Sequence, residues 1–274
     1  MITPVGNQGE EMMTTEKKKG SKKGKVLWWV LFLTAAAVFL IAGYQLVTTL
    51  MEYKAAENEY EELEAYVTLP ETAEDSQGET GEEVQEDQGP VIDFASLKAV
   101  NEDVVGWLYV EALGINYPIM QGEDNDYYLH RTTEETYNFA GSIFLDYVNK
   151  ADFSDCNSIV YGHNMKDGSM FGRLKQFREK EVYETSMYFW VCTPEKNYKY
   201  EIFSAYETEV GSDTYLLFDK PGKEFVQYME NMKKLSEIPT GNFAFTEKDH
   251  VVTLSTCTGN SSTRFVVQGV CISE

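Results

Sequence analysis

Between Val26 and Leu50 the chain runs for 25 residues without a charged side chain, VLWWVLFLTAAAVFLIAGYQLVTTL. At a rise of ~1.5 Å per residue, a helix of this length exceeds the ~20 residues needed to cross a bilayer core. Trp28, Trp29 and Tyr44 lie towards its ends, where amphipathic rings favour the interface. A cleaved signal peptide would have an apolar core of only about 7–15 residues and a small-residue cleavage site. Ala42-Gly43-Tyr44 is a poor one. The run therefore reads as a retained anchor that crosses the membrane once, because no second run of this kind follows.

Charge is distributed around that anchor. Residues 1–25 carry six Lys against three Glu, whereas residues 51–90 carry 14 acids and one Lys. Basic residues stay on the cytoplasmic side, so residues 1–25 are expected in the cytoplasm and the rest of the chain outside. The net charge of −22 repels phosphate backbones. No nucleic-acid partner is expected.

The acidic segment divides in two. Residues 51–67 are rich in helix formers, with Ala56, Tyr60, Leu63 and Val67 at spacings of three and four. This pattern predicts a solvated helical extension of the anchor or, alternatively, a partner-binding helix. Residues 68–90 have almost no large apolar side chains and read as a disordered spacer. The expected division is thus 1–25 cytoplasmic, 26–50 transmembrane, 51–90 acidic spacer and 91–274 extracellular domain.

From Val91 onward the composition becomes globular. A short helix is predicted at Asp93–Asn101, with Asp93 or Ser96 near its start. Eight apolar, β-branched segments of strand length follow: Val104–Val110, Ile115–Met120, Ser142–Tyr147, Ser158–His163, Met187–Thr193, Lys199–Thr208, His250–Cys257 and Arg264–Ser273. Helical patches fall at Met170–Phe177 and Lys223–Leu235, the second with Phe225, Val226, Met229 and Met232 on one side. Eight strands with few helices between them predict a mostly β domain, an antiparallel closed or sandwiched sheet with peripheral helices.

The chemistry on offer is narrow. His130, His163 and His250 are far apart, and no CxxC or HxxxH pair occurs, so metal catalysis is not expected. No cofactor-binding GxGxxG or P-loop pattern is present, and there is no GxSxG elbow. Of the four cysteines, Cys192 and Cys271 sit inside alternating apolar runs and read as small buried groups, although the sequence also admits a bridge between them. Cys156, in the polar turn SDCN, reads as exposed and incidental. Cys257 differs because it ends the β-branched strand VVTLSTC and enters the small polar turn TGNSST. Arg264 opens the next strand seven residues later, so a hairpin would set its guanidinium beside the thiol. His163 ends SIVYGH, at the rim of another strand. A thiol requires a base or a positive neighbour to become a useful nucleophile, and an oxyanion requires donors. Cys257, His163 and Arg264 are the candidate catalytic set.

These segments also resemble a known family. TLSTC at 253–257, with Arg264 seven residues on, resembles the active-site signature of sortases, the cysteine transpeptidases of Gram-positive bacteria. YGHNMKDGSMFGRLKQF at 161–177 is similar to the histidine-bearing segment of class B sortases. FASLKAVNEDVVGWL, DNDYYL and AGSIFLDY match further pieces, and the helix-bearing insertion before the Cys strand suits the same class. The resemblance implies an eight-stranded β-barrel with Cys257 as nucleophile, His163 as general acid/base and Arg264 as the oxyanion or substrate-positioning group. It implies Asn125, Leu129, Ser255 and Thr256 as substrate-groove residues. At Thr258 the chain departs from relatives that carry an acid there, so no single relative's signal preference is implied. The implied partners are surface proteins bearing a C-terminal sorting signal, cleaved after Thr, and an amine of a peptidoglycan cross-bridge or its lipid-linked precursor. The rival functions are a pilin-polymerising sortase, a cysteine protease using water, and an adhesin with an inert thiol.

Overall fold

The computed structural model describes residues 22–70 and 89–273. The basic head before Lys22 and residues 71–88 of the expected spacer lie outside them. The chain forms two compact units, Met1–Met51 and Glu52–Glu274. In the first, the described residues belong to helix α1 (Lys22–Glu64), and its large apolar side chains there are exposed, Phe39 by 77%. α1 is long enough, and apolar enough over part of its length, to cross a membrane.

The second unit opens with the end of α1. Here the structure differs from a solvated extension. Ala56, Tyr60 and Leu63 are buried in the main core. Their three- and four-residue spacing marks the covered face, and the covering partner is the barrel that follows. The two-residue strands β1 (Val67–Thr68) and β2 (Val91–Ile92) pair antiparallel, a contact with no signature in the sequence. Helix α2 (Phe94–Val100) is capped by Asp93, whose carboxylate accepts from the Ser96 amide at 3.1 Å and so satisfies one of the first turn's unpaired donors.

Eight strands then close a barrel: β3 (Val104–Val110), β4 (Ile115–Met120), β5 (Ile143–Leu145), β6 (Asn157–Tyr161), β7 (Tyr188–Cys192), β8 (Asn197–Glu209), β9 (Val251–Cys257) and β10 (Thr263–Ser273). All eight expected segments are strands. The order around the barrel is β10-β8-β7-β3-β4-β5-β6-β9. The sheet is not wholly antiparallel, because β4 pairs with β5 and β6 with β9 in parallel. Closure removes the unpaired edges that an open sheet would expose. Short helix α3 (Lys180–Thr185) lies in a stretch where no helix was expected, and Met170–Phe177 yields only a 3₁₀ segment at Leu174–Arg178.

Side chains of β9 alternate between two cores. Val252 and Leu254 join the main core, whereas Val251 joins a smaller cluster under helix α4 (Lys223–Leu235). That helix buries Phe225, Tyr228, Met229 and Met232 against Phe203, Tyr206, Val266 and Val270. Each such side chain contributes roughly 1.5–3 kcal/mol on full burial. The strand bearing Cys257 is therefore covered on both faces. Cys257 shares the face of Val251, Thr253 and Ser255 by the two-residue period.

All four thiols are free. Cys192 and Cys271 do not bridge, because β8 lies between their strands, and burial pushes the Cys192 thiol up to about 12. Cys156 is buried rather than exposed. Its carbonyl accepts from the Val251 amide at 2.8 Å, and its side chain packs in the cluster under α4. The polar letters around it mislead because Asp155 turns back to bond the Lys150 amide and the Asn149 side chain.

Candidate active site

Strand register assembles the candidate catalytic set. On one side of β9, antiparallel β10 pairs Arg264 directly with Cys257. Side chains of directly opposed residues lie on one face, with Cβ atoms about 4.5–5.5 Å apart. On the other side, parallel β6 pairs Tyr161 with Ser255. Two residues further along both chains stand His163 and Cys257. The ladder continues past β6, with the Gly162 amide donating to Ser255 O at 3.2 Å and the Thr256 hydroxyl to Gly162 O at 2.8 Å. Consequently His163 lies just beyond the strand rather than in it. The thiol sits between the imidazole's strand and the guanidinium's strand.

An open cavity of about 190 Å³ occupies this rim. All seven residues expected from the sequence, Asn125, Leu129, His163, Ser255, Thr256, Cys257 and Arg264, line it, together with Phe144, Tyr161 and Gly162. Their polar groups are largely committed to the wall. Ser255 Oγ and the Tyr215 hydroxyl are 2.9 Å apart. Asn125 donates to Asp146 Oδ2 at 3.0 Å and accepts from the Tyr147 amide at 3.0 Å. The Tyr161 hydroxyl donates to the same Asp146 oxygen at 2.9 Å, and burial followed by the Asp146 charge pushes that phenol well above its ordinary value.

The groups facing the thiol are held as firmly. Arg264 donates from Nη1 to Ser261 O at 3.1 Å and to Thr263 O at 2.9 Å, which fixes the guanidinium on the hairpin turn. Among the described residues it makes no ion pair, so its charge is not cancelled by a carboxylate. Lys175 donates to Thr258 O at 2.8 Å and straps the segment after His163 to the turn after Cys257. Burial pushes His163 below the ordinary imidazole value, opposed by its bond to the Leu129 carbonyl and reinforced by His130. The two histidine rings stack at 5.6 Å. Cys257 is half-buried. A half-buried thiol that lines one open cavity with an imidazole and a guanidinium is equipped for acyl transfer.

Tyr161, Tyr215, Asp146 and Lys175 were not singled out in the sequence. Tyr161 had a signal, since it stands two residues before His163 and so shares its face. Asp146 lies in the LDY of AGSIFLDY, and Tyr215 and Lys175 carried no mark beyond their neighbourhoods.

A family model described as the sortase domain matches residues 108–272. Sortase B of Listeria monocytogenes is 34% identical over 88% of this chain and 95% of its own length. Sortase B of Staphylococcus aureus is 31% identical over 80% and 85%. Among solved structures, sortase B of B. anthracis in complex with AAEK1 superposes with a TM-score of 0.68 at 30% identity, covering 82% of this chain and all of that one. A substrate complex of S. aureus sortase B gives 0.61 at 31%, covering 66% and 84%. Streptococcus pyogenes Spy0129, described as a class B sortase involved in pilus biogenesis, gives 0.59 at 33%, covering 66% and 98%. With the barrel closed in the same way and the match running through the Cys strand to its partner, the chain belongs to the sortases, cysteine transpeptidases, and within them to class B.

Proposed function

We propose that Cys257 is the nucleophile, His163 the general acid/base and Arg264 the oxyanion holder of a membrane-anchored enzyme that transfers surface proteins to peptidoglycan. The observation carrying this reading is the β6-β9-β10 register, with thiol and guanidinium on paired strands and the imidazole just past the end of β6, all lining one cavity. A sorting signal lies along the wall formed by Asn125, Leu129, Ser255 and Thr256, with its Thr carbonyl at the thiolate. Sγ attacks the carbonyl carbon, and the oxyanion is held by Arg264 and nearby backbone amides. The C–N bond breaks as protonated His163 gives its proton to the departing amine, leaving a thioester. An amine of the cross-bridge or its lipid-linked precursor then attacks, losing a proton to His163. The new amide forms and the thiolate leaves.

Residues 1–25 lie in the cytoplasm, 26–50 span the membrane, and 51–90 join the span to a catalytic domain outside. Support comes from the Lys cluster ahead of the apolar run. In intact protoplasts, external protease is expected to digest the catalytic domain and leave the N-terminus protected. Protection of the C-terminus would reverse the orientation and sever the enzyme from wall substrates.

A second reading, pilin polymerisation, draws on the likeness to the pilus-associated S. pyogenes protein. The test uses the full chain in detergent micelles with a peptide panel of Asn-Pro-Gln-Thr-Asn-like, Ser-Pro-x-Thr-Gly-like and Asn-Pro-x-Thr-Gly-like signals, with and without triglycine, read by mass spectrometry. Cleavage after Thr with the triglycine adduct as main product is expected. A free acid unaffected by added amine would make the protein a protease, and transfer only to a lysine peptide would favour the pilin reading.

A further inference from the structure

His163 Nε2 lies 2.7 Å from the backbone carbonyl of Leu129. A carbonyl only accepts, so Nε2 carries the hydrogen and the neutral ring keeps its lone pair on Nδ1. The nitrogen available to move protons at the thiol is therefore selected by a loop, residues 128–142. That loop is folded on itself, with the Ser142 amide bonded to Tyr128 O and the Asn138 amide to His130 O, each at 3.0 Å. Gly141 presses against the Leu129 carbonyl from behind. Its φ is +58°, and a Cβ there would overlap that oxygen.

The end of α1 grips the same loop. The Tyr60 hydroxyl donates to Gly141 O at 2.7 Å and lies 3.2 Å from Ser142 Oγ, which itself donates to Arg131 O at 2.8 Å. Asn138 Nδ2 donates to Glu52 O at 2.9 Å, and the Glu134 amide to Glu59 Oε1 at 2.9 Å. Tyr53 packs edge-on against Phe139. Tyr60 also reaches the other side of His163. Its ring meets Tyr117 at 5.2 Å, and the Tyr117 hydroxyl accepts from the Met170 amide at 3.3 Å, in the turn whose Phe171 amide bonds His163 O. Burial keeps Tyr60 a neutral donor.

We propose that Tyr60, on the helical segment between the apolar run and the barrel, is a positioning residue for His163, acting through Gly141 and the Leu129 carbonyl. The inference rests on His163 being the acid/base. A residue that only stabilised the fold would leave the ring's tautomer and titration alone. Tyr60→Phe keeps the ring and its packing and deletes only the hydroxyl's bonds. Gly141→Ala disturbs the Leu129 carbonyl from the opposite side.

The experiment compares these variants with His163→Ala in the full chain in micelles. It reads kcat and KM across pH, and the ring-nitrogen NMR signals of selectively labelled histidine. His130, whose ring stacks on that of His163, and Cys257, which lines the same cavity, are both retained. Tyr60→Phe is expected to lower kcat roughly three- to tenfold with KM unchanged. The acid limb of the kcat profile moves, and the His163 signals shift towards tautomer exchange. Gly141→Ala is expected to move the same signals further. Wild-type signals and an unmoved acid limb in both variants would overturn the proposal while leaving His163 as the base, provided His163→Ala is inactive. An active His163→Ala would instead remove the acid/base reading itself.

Discussion

Cys257→Ala is expected to remove turnover and the acyl-enzyme together, a loss on the order of 10⁴–10⁶ in kcat. Cys156→Ala and Cys192→Ala remove buried thiols packed in hydrophobic clusters, so any loss there follows folded protein rather than chemistry. Cys271→Ala, at the far end of β10, retains activity. Mass spectrometry of the enzyme mixed with sorting peptide checks this directly, because only an intact Cys257 forms the thioester. His163→Ala falls by about 10²–10⁴, as both the leaving and the incoming amine need proton transfer. The double variant is no worse than Cys257→Ala alone, since residues acting as a unit are not additive. Normal turnover in Cys257→Ala would sink the mechanism.

Arg264 separates charge from geometry. Its guanidinium is held by two carbonyls of the hairpin turn and stands opposite Cys257 in the ladder. A lysine keeps the charge but not the planar fork or the hold on Ser261 and Thr263. Were Arg264 only a positive neighbour for the thiol, Arg264→Lys would retain most activity. Directed hydrogen bonding to the oxyanion predicts a loss of about 10²–10³ in kcat/KM for Lys, with Ala only slightly worse. The companion measurement is the pH dependence of Cys257 alkylation, which responds to charge. Near-wild-type turnover in Arg264→Lys would leave the electrostatic role alone.

Strand content was legible from alternation and β-branching, and all eight barrel strands fall inside or within three residues of the expected spans. Cys257 and Arg264 were legible as neighbours because a hairpin makes them local. The partnership of His163 with Cys257 had no local trace. It depends on the parallel β6-β9 pairing across 94 residues, as Ser158 with Val252, and the sequence joined the two only through a thiol's need for a base and through the family resemblance. The face of Ala56, Tyr60 and Leu63 was visible as a period, yet its partner was not, because amphipathic spacing specifies a covered side without naming the cover. Cys156 shows the opposite failure, where polar neighbours engaged with one another leave the thiol facing the core.

The position of β9 and β10 as the last two barrel strands in chain order bears on when the site is assembled. During synthesis β6 and β8 emerge with one ladder side empty, and they stay so until the final two strands arrive and close the ring. Pairings between residues so distant in sequence form slowly relative to local ones. The pairing of Cys257 with Arg264 and the ladder that brings His163 alongside them are completed in that last event. An unfinished chain thus carries His163 with neither Cys257 nor Arg264 beside it.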